Sequence, residues 1–142
     1  EDASLGGTPN EWARRAIACY REWDADCIVV EVNQGGDMVA HTLRTVDPNV
    51  KIKEVRASRG KHIRAEPVSA HYEQGKIVHL GMLAKLEAEM TQMTSAGYQG
   101  SGSPDRVDAL VWAFTELFPQ MTSRVIAKGQ FDIPKRARGW MA

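Results

Sequence analysis

Three carboxylates, Glu31, Asp105 and Asp108, offer chemistry in this 142-residue chain. Glu31 interrupts the apolar run CIVVEV (Cys27–Val32), where a carboxylate is costly to bury unless it is paired or bound to a metal. Either an arginine at a sheet edge or a metal ion would satisfy it. The NQGG that follows lets the backbone turn sharply and approach a ligand closely. Asp105 and Asp108 stand three residues apart at the start of SGSPDRVDALVWAFTELF (Ser101–Phe118), on one helix face. Taken alone, the pair is better explained by capping. Ser103 or Asp105 suits an N-cap, and each acid in a first turn gains about 0.3–1 kcal/mol from the helix dipole. If that helix start faces the end of the Glu31 strand, however, the three acids converge. Their repulsion then raises at least one pKa unless a cation neutralises them. Hard oxygen donors of this kind suit Mg²⁺ or Mn²⁺, and two such ions can activate water and stabilise the leaving oxygen in phosphodiester hydrolysis.

A second constellation is basic. The loop ASRGKHIRAEP and the residue before it bring Arg56, Arg59, Lys61, His62 and Arg64 close together. They form either a solvated loop or a grip on phosphates. His41, His71 and His79 have no pairing at ligand spacing and read as structural. SRGKH lacks the first glycine and the Ser/Thr of a phosphate-binding P-loop, so ATP binding is not expected here. Tyr98 reads as a loop anchor rather than a base-stacking platform. Met82, Met90 and Met93 read as core fillers.

The elements that must position these groups alternate. TPNE (Thr8–Glu11) is a capping box with proline in the first turn, opening a helix to about Trp23. CIVVEV then reads as a buried parallel strand. A helix over Asp37–Val46, a strand at KIKEVR and a helix from about Pro67 to Gln74 follow, with Gly75 as the stop. KIVHLG reads as a third strand and Leu83–Met93 as a helix. A flexible stretch, TSAGYQGSGS, precedes the final helix, whose stripe is Val107, Leu110, Val111, Phe114 and Leu117. This order implies an α/β sheet with helices on its faces.

Composition is that of a globular domain, 43% hydrophobic and 25% charged, with a formal net charge of zero. That balance excludes a global basic field but not a local groove. Cys19 and Cys27 are too few for a disulfide scaffold and read as buried thiols in an intracellular setting. No apolar run reaches the roughly 18 residues of a membrane span, and no signal-peptide pattern is present.

Five ordered blocks, EDASLGGTPNEWARRAI, DCIVVEVNQGGDMV, VRASRGKHIRAEPV, YEQGKIVHLG and GYQGSGSPDRVDALVWA, closely resemble the C-terminal nuclease domain of the terminase large subunit of tailed phages and prophage-like elements. The resemblance covers about residues 1–118 and leaves 119–142 as a basic tail containing Lys135, Arg136 and Arg138. It implies an RNase H-like mixed sheet flanked by helices. It also implies a Mg²⁺- or Mn²⁺-dependent two-metal endonuclease that cuts concatemeric DNA during genome packaging. Glu31 matches the acid of the family's V-E-x-N-x-x-G block, and Asp105 and Asp108 match its D-R-V-D-A block. Lys61 and Arg64 match its basic segment. The implied partners are double-stranded DNA, an ATPase domain in the same full-length chain, the small terminase subunit and a portal protein. The implied location is the bacterial host cytoplasm.

The family's first metal aspartate lies on a strand upstream of EDASLGG. The chain is therefore expected to be truncated before its first strands, and by itself to bind metal weakly and cleave poorly. Two other readings fit the same residues: a Holliday-junction resolvase or transposase-like nuclease, and a non-catalytic docking module of a packaging motor.

Overall fold

The computed structural model describes residues 1–32 and 37–122. The NQGG segment, and the tail beyond Thr122 with Lys135, Arg136 and Arg138, lie outside the described residues.

Helix α1 (Pro9–Glu22) begins with the capping box expected of TPNE. The Thr8 amide donates to Glu11 Oε2 at 2.7 Å, and the Glu11 amide donates to Thr8 Oγ1 at 3.4 Å. Strand β1 (Ile28–Glu31), helix α2 (Asp37–Val46) and strand β2 (Ile52–Val55) follow. The strands pair in parallel, with Ile28 opposite Ile52 and Glu31 opposite Val55. Ala13 and Ile17 of α1 pack with Val30, Val32, Leu43 and Val50, forming one apolar cluster.

A second cluster is built from helices. Val68 of α3 (Lys61–Glu73), Leu86 of α4 (Ala84–Thr91), and Val107 and Val111 of α5 (Asp105–Leu117) form it, with Phe114, Met90 and Met93 packed against them. Strands β3 (Met93–Thr94) and β4 (Gly97–Tyr98) make a short antiparallel hairpin, and α6 (Pro119–Thr122) ends the described chain. The hairpin lies in the stretch expected to be flexible. Gly97 has φ +111°, a conformation glycine adopts without the cost borne by other residues.

Several local expectations are corrected. Helix α3 begins at Lys61, six residues before Pro67, which lies inside it. The proline ring removes one backbone hydrogen bond, and the burial of Val68 beside it offsets that loss. Lys61, His62 and Arg64 therefore stand on a helical turn rather than in a loop. Gly75, at φ +66°, ends the helix as anticipated. KIVHLG is not a strand, because the segment finds no pairing partner among the described residues. Its alternation instead leaves Val78 and Leu80 exposed, the latter fully. Met82 is likewise exposed rather than in the core, and so is Leu117 at the end of its stripe. Cys19 and Cys27 are free thiols, only partly buried. No helix among the described residues is long and apolar enough to cross a membrane.

Leu43 is 1% exposed at the centre of the first cluster. Leu43→Ala is expected to cost about 2–5 kcal/mol in urea unfolding, through lost transfer energy and the cavity left behind. A loss below the lower bound would mean that the α2 face is not the packed interface described here.

Candidate active site

The two clusters meet where α5 docks on the parallel strands. Lys53 of β2 pairs with Glu116 of α5 at 2.6 Å, and Trp112 Nε1 donates to Glu31 Oε2 at 2.7 Å. Between them lies a cavity of about 420 Å³ lined by Cys27, Val29, Glu31, Asp105, Asp108, Ala109, Trp112 and Ala113. The carboxylates of β1 and α5 thus face one space, from elements far apart in sequence.

The acids of α5 do not cap their helix. The residue preceding it is Pro104, and no side-chain cap bond is made there. Glu89 of α4 does this work instead, accepting from the amides of Arg106 at 2.9 Å and Val107 at 3.2 Å. Arg106 also binds Glu89 through its side chain at 2.9 Å, and Asp2 at 2.7 Å. With the helix amides served from a neighbouring helix, Asp105 and Asp108 are left to bind other groups.

Those groups are cations from the first turn of α3, which faces the first turn of α5. Arg64 pairs with Asp108 in a short contact and with Glu31 at 3.5 Å. Lys61 pairs with Asp105 at 3.2 Å and Asp108 at 3.3 Å, and donates to Ser103 Oγ at 2.7 Å. Asp108 is 8% exposed, and its charge is compensated by both cations. The Arg64 guanidinium lies 4.9 Å from the centre of the Trp112 ring, within cation–π range. Its Nε is buried with no hydrogen-bond partner among the described residues. Positive charge at a helix N-terminus is disfavoured by the dipole, so the first turn of α3 depends on the acids opposite.

The ionisation of the outer bridge follows. Burial works against the Lys61 charge, yet the hydrogen bond with Asp105 and the charges of Asp108 and Asp105 outweigh it and raise the ammonium pKa above 10.5. The hydrogen bond with the Ser103 side chain does most to hold the Asp105 carboxyl below 3.8; burial opposes it, and Lys61 adds to the lowering. A depressed carboxyl contributes stability above its ordinary pKa and loses it as pH falls through the lowered value. A raised ammonium contributes fully below 10.5 and loses that contribution as pH rises through the raised value. The bridge is therefore intact across the neutral range.

The basic residues divide among three places. Arg56 and Arg59 line a second cavity of about 280 Å³ with Ser58, Arg64, Trp112, Thr115 and Thr122. Lys61 and Arg64 reach the carboxylates. His62 faces away, into a cavity of about 610 Å³ that also contains Glu66 and Glu73. Of the other histidines, His79 bridges the Tyr72 hydroxyl at 2.8 Å and Glu87 at 2.9 Å, and His71 contacts the Met121 carbonyl at 3.0 Å. Tyr98 sits in the hairpin.

Trp112 was not anticipated, although its spacing of four from Asp108 places it on the same helix face. It forms a wall of both the acidic and the basic cavity.

The oxygen donors are chemically suited to Mg²⁺ or Mn²⁺, but their arrangement does not fit a metal. Each carboxylate is engaged by a neighbouring side chain, and among the described residues no group of three or more His, Cys, Asp or Glu is disposed to hold an ion. Cationic side chains supply the neutralisation instead.

Arg64→Ala is expected to destabilise the fold by about 2 kcal/mol, because the Asp108 carboxylate then keeps only Lys61. Lys61→Ala, at a partly exposed bridge, should cost less than about 1 kcal/mol. Urea unfolding of both variants tests the inequality, and equal losses would refute it. In NMR titration, Ser103→Ala and Lys61→Gln should each move the Asp105 midpoint upward, whereas an unmoved midpoint would contradict the contacts described.

A family model for the terminase RNaseH-like domain matches residues 4–117, which include the α1 capping box, Glu31, the first turn of α3 and the acids of α5. No curated protein and no solved structure matches the chain at a significant level. RNase H-like nuclease domains generally use divalent metals, and terminase domains work on DNA alongside a packaging motor. The span of the match and the α/β architecture agree: the chain belongs to the terminase RNaseH-like domain family, the nuclease part of DNA-packaging terminases.

Proposed function

We propose that the chain is an endonuclease domain that cuts concatemeric DNA during genome packaging, with Glu31, Asp105 and Asp108 as its catalytic acids. The observation that carries this reading is the shared cavity: carboxylates from β1 and α5 face one space beside a basic cavity. Mg²⁺ or Mn²⁺ in a two-metal site is the cofactor that the family implies, although the carboxylates as arranged here are engaged by Lys61, Arg64 and Trp112. Residues 1–118 are the proposed nuclease unit, with 119–142 as its tail.

In this reading Arg56 and Arg59 hold a DNA phosphate in the basic cavity, where paired guanidinium groups suit an oxyanion. Lys61 and Arg64 contact DNA from the border between the two cavities. His62 would touch DNA further along its path. Trp112, bonded to Glu31, fixes the carboxylate relative to the bound backbone. Contacts of this kind read shape and charge rather than base sequence. The proposed partners are double-stranded DNA, the ATPase domain of the full-length protein, the small terminase subunit and a portal ring, with the bacterial host cytoplasm as the setting.

The ion pairs that engage the carboxylates also favour a second reading, a docking module whose acids are purely structural. Plasmid cleavage by the natural full-length protein in Mn²⁺ separates the two. Glu31→Ala and Asp108→Ala should each lower the rate by at least about a hundredfold. If both left cleavage intact, the nuclease mechanism would be wrong and docking would stand. DNA affinity should also fall steeply with salt, and Arg56→Ala and Arg59→Ala should each reduce the log–log slope by about one. A flat salt dependence would remove these arginines from the DNA path.

A further inference from the structure

Helix α3 has two open flanks that differ in charge. Arg64 and Pro67 face the basic cavity, whereas His62, Glu66, Ser69 and Glu73 share the other flank and line the cavity of about 610 Å³. Met90 of α4 and Met93, Thr94 and Ser95 of the hairpin form its facing wall, so the cavity is a groove beside α3. We infer that this groove is a docking surface for a partner protein, and that its occupant is a basic amphipathic helix with an aliphatic anchor between two cations. The inference does not depend on the nuclease reading.

Charge sets the class of partner. No lysine or arginine is among the described residues that line the groove, so the carboxylates of Glu66 and Glu73 give it a negative field. Phosphate is repelled from it, and a lysine or arginine is drawn in. His62, in the first turn of α3, ends the groove on the side of Arg59.

Between the acids the groove is apolar. Ile63 is 37% exposed, and Met90 and Met93 are half-buried. Methionine adapts its shape to different apolar partners. Ser69, Met90 and Met93 also border a smaller cavity of about 60 Å³, walled by Val68, Val107, Leu110 and Val111 of the helix cluster. Such a void leaves its lining without contacts on one side. An aliphatic side chain entering from the groove supplies them, and the space is too small for an aromatic ring.

Spacing selects a helix. Glu66 and Glu73 stand two turns apart on α3, about 10 Å along its axis. A helix laid alongside α3 repeats its own face at the same interval, which sets cations seven positions apart opposite the two acids. The chain's own basic residues beyond Thr122 begin at the basic cavity, on the other flank of α3, which favours a separate partner.

The test uses the natural full-length protein and a labelled synthetic helical peptide, with two lysines seven positions apart and leucines between them, read by fluorescence anisotropy. The lysine peptide should bind at least about tenfold more tightly than a counterpart with glutamates in place of the lysines. Glu66→Lys combined with Glu73→Lys, both at exposed positions, should remove that preference. Replacing the leucines by asparagines should weaken binding about tenfold as well. No binding of the lysine peptide, equal binding of the two peptides, or an unchanged preference in the double variant would overturn the docking surface. Loss with charge but not with leucine would overturn the anchor. Binding seen only after residues 123–142 are removed would assign the groove to the chain's own tail and overturn the partner.

Discussion

The Arg64 guanidinium, between Glu31 and Asp108 and against the Trp112 ring, is the interaction on which the rest of the structure depends. The strand cluster and the helix cluster each bury their own apolar side chains, and the seam between them is polar. A buried cation there is stable only while the acids around it stay ionised and correctly placed. That requirement couples the angle of α5 on the strands to the first turn of α3. A polar seam of this kind specifies geometry more than it stabilises, since apolar packing would serve stability as well. Positions set this way are what a reaction centre needs.

The division of labour at the start of α5 has the same logic. A helix N-terminus exposes several unpaired amides, and nearby acids are ordinarily absorbed in satisfying them. Here Glu89 reaches across from α4 and serves two of them. Asp105 and Asp108 gain from the dipole without being consumed by it, which leaves their oxygens for Lys61 and Arg64. Arg106, held by Glu89 and Asp2, fastens the capping helix to the capped one and to the chain start.

Much of the first half was legible in the sequence because its signals are local. The Thr8–Glu11 box, the apolar Cys27–Val32 run and the Asp37–Val46 periodicity each act within a few residues, and the elements fall where those signals lie. The acids were legible as residue types, from the cost of burying Glu31 and the shared face of Asp105 and Asp108. Their partners were not, since nothing local links Arg64 to a residue 44 positions away. Capping by Glu89 escaped for the same reason. Pro67 was read by its usual effect, but burial of Val68 in the helix cluster overrode it. KIVHLG was read as a strand from its local pattern, but a strand also needs a partner, and local pattern cannot supply one.

The separation of the Trp112–Glu31 contact, 81 positions along the chain, also bears on the order in which the molecule assembles. The α1–β1–α2–β2 unit closes short loops, and so do the neighbouring helices α4 and α5, so each can condense early at modest entropic cost. Joining Trp112 to Glu31 closes a long loop and is rewarded only after both units exist. The seam between the two clusters is therefore expected to order late and to open early when stability is reduced. A partly folded chain would carry both hydrophobic cores and yet no assembled set of acids.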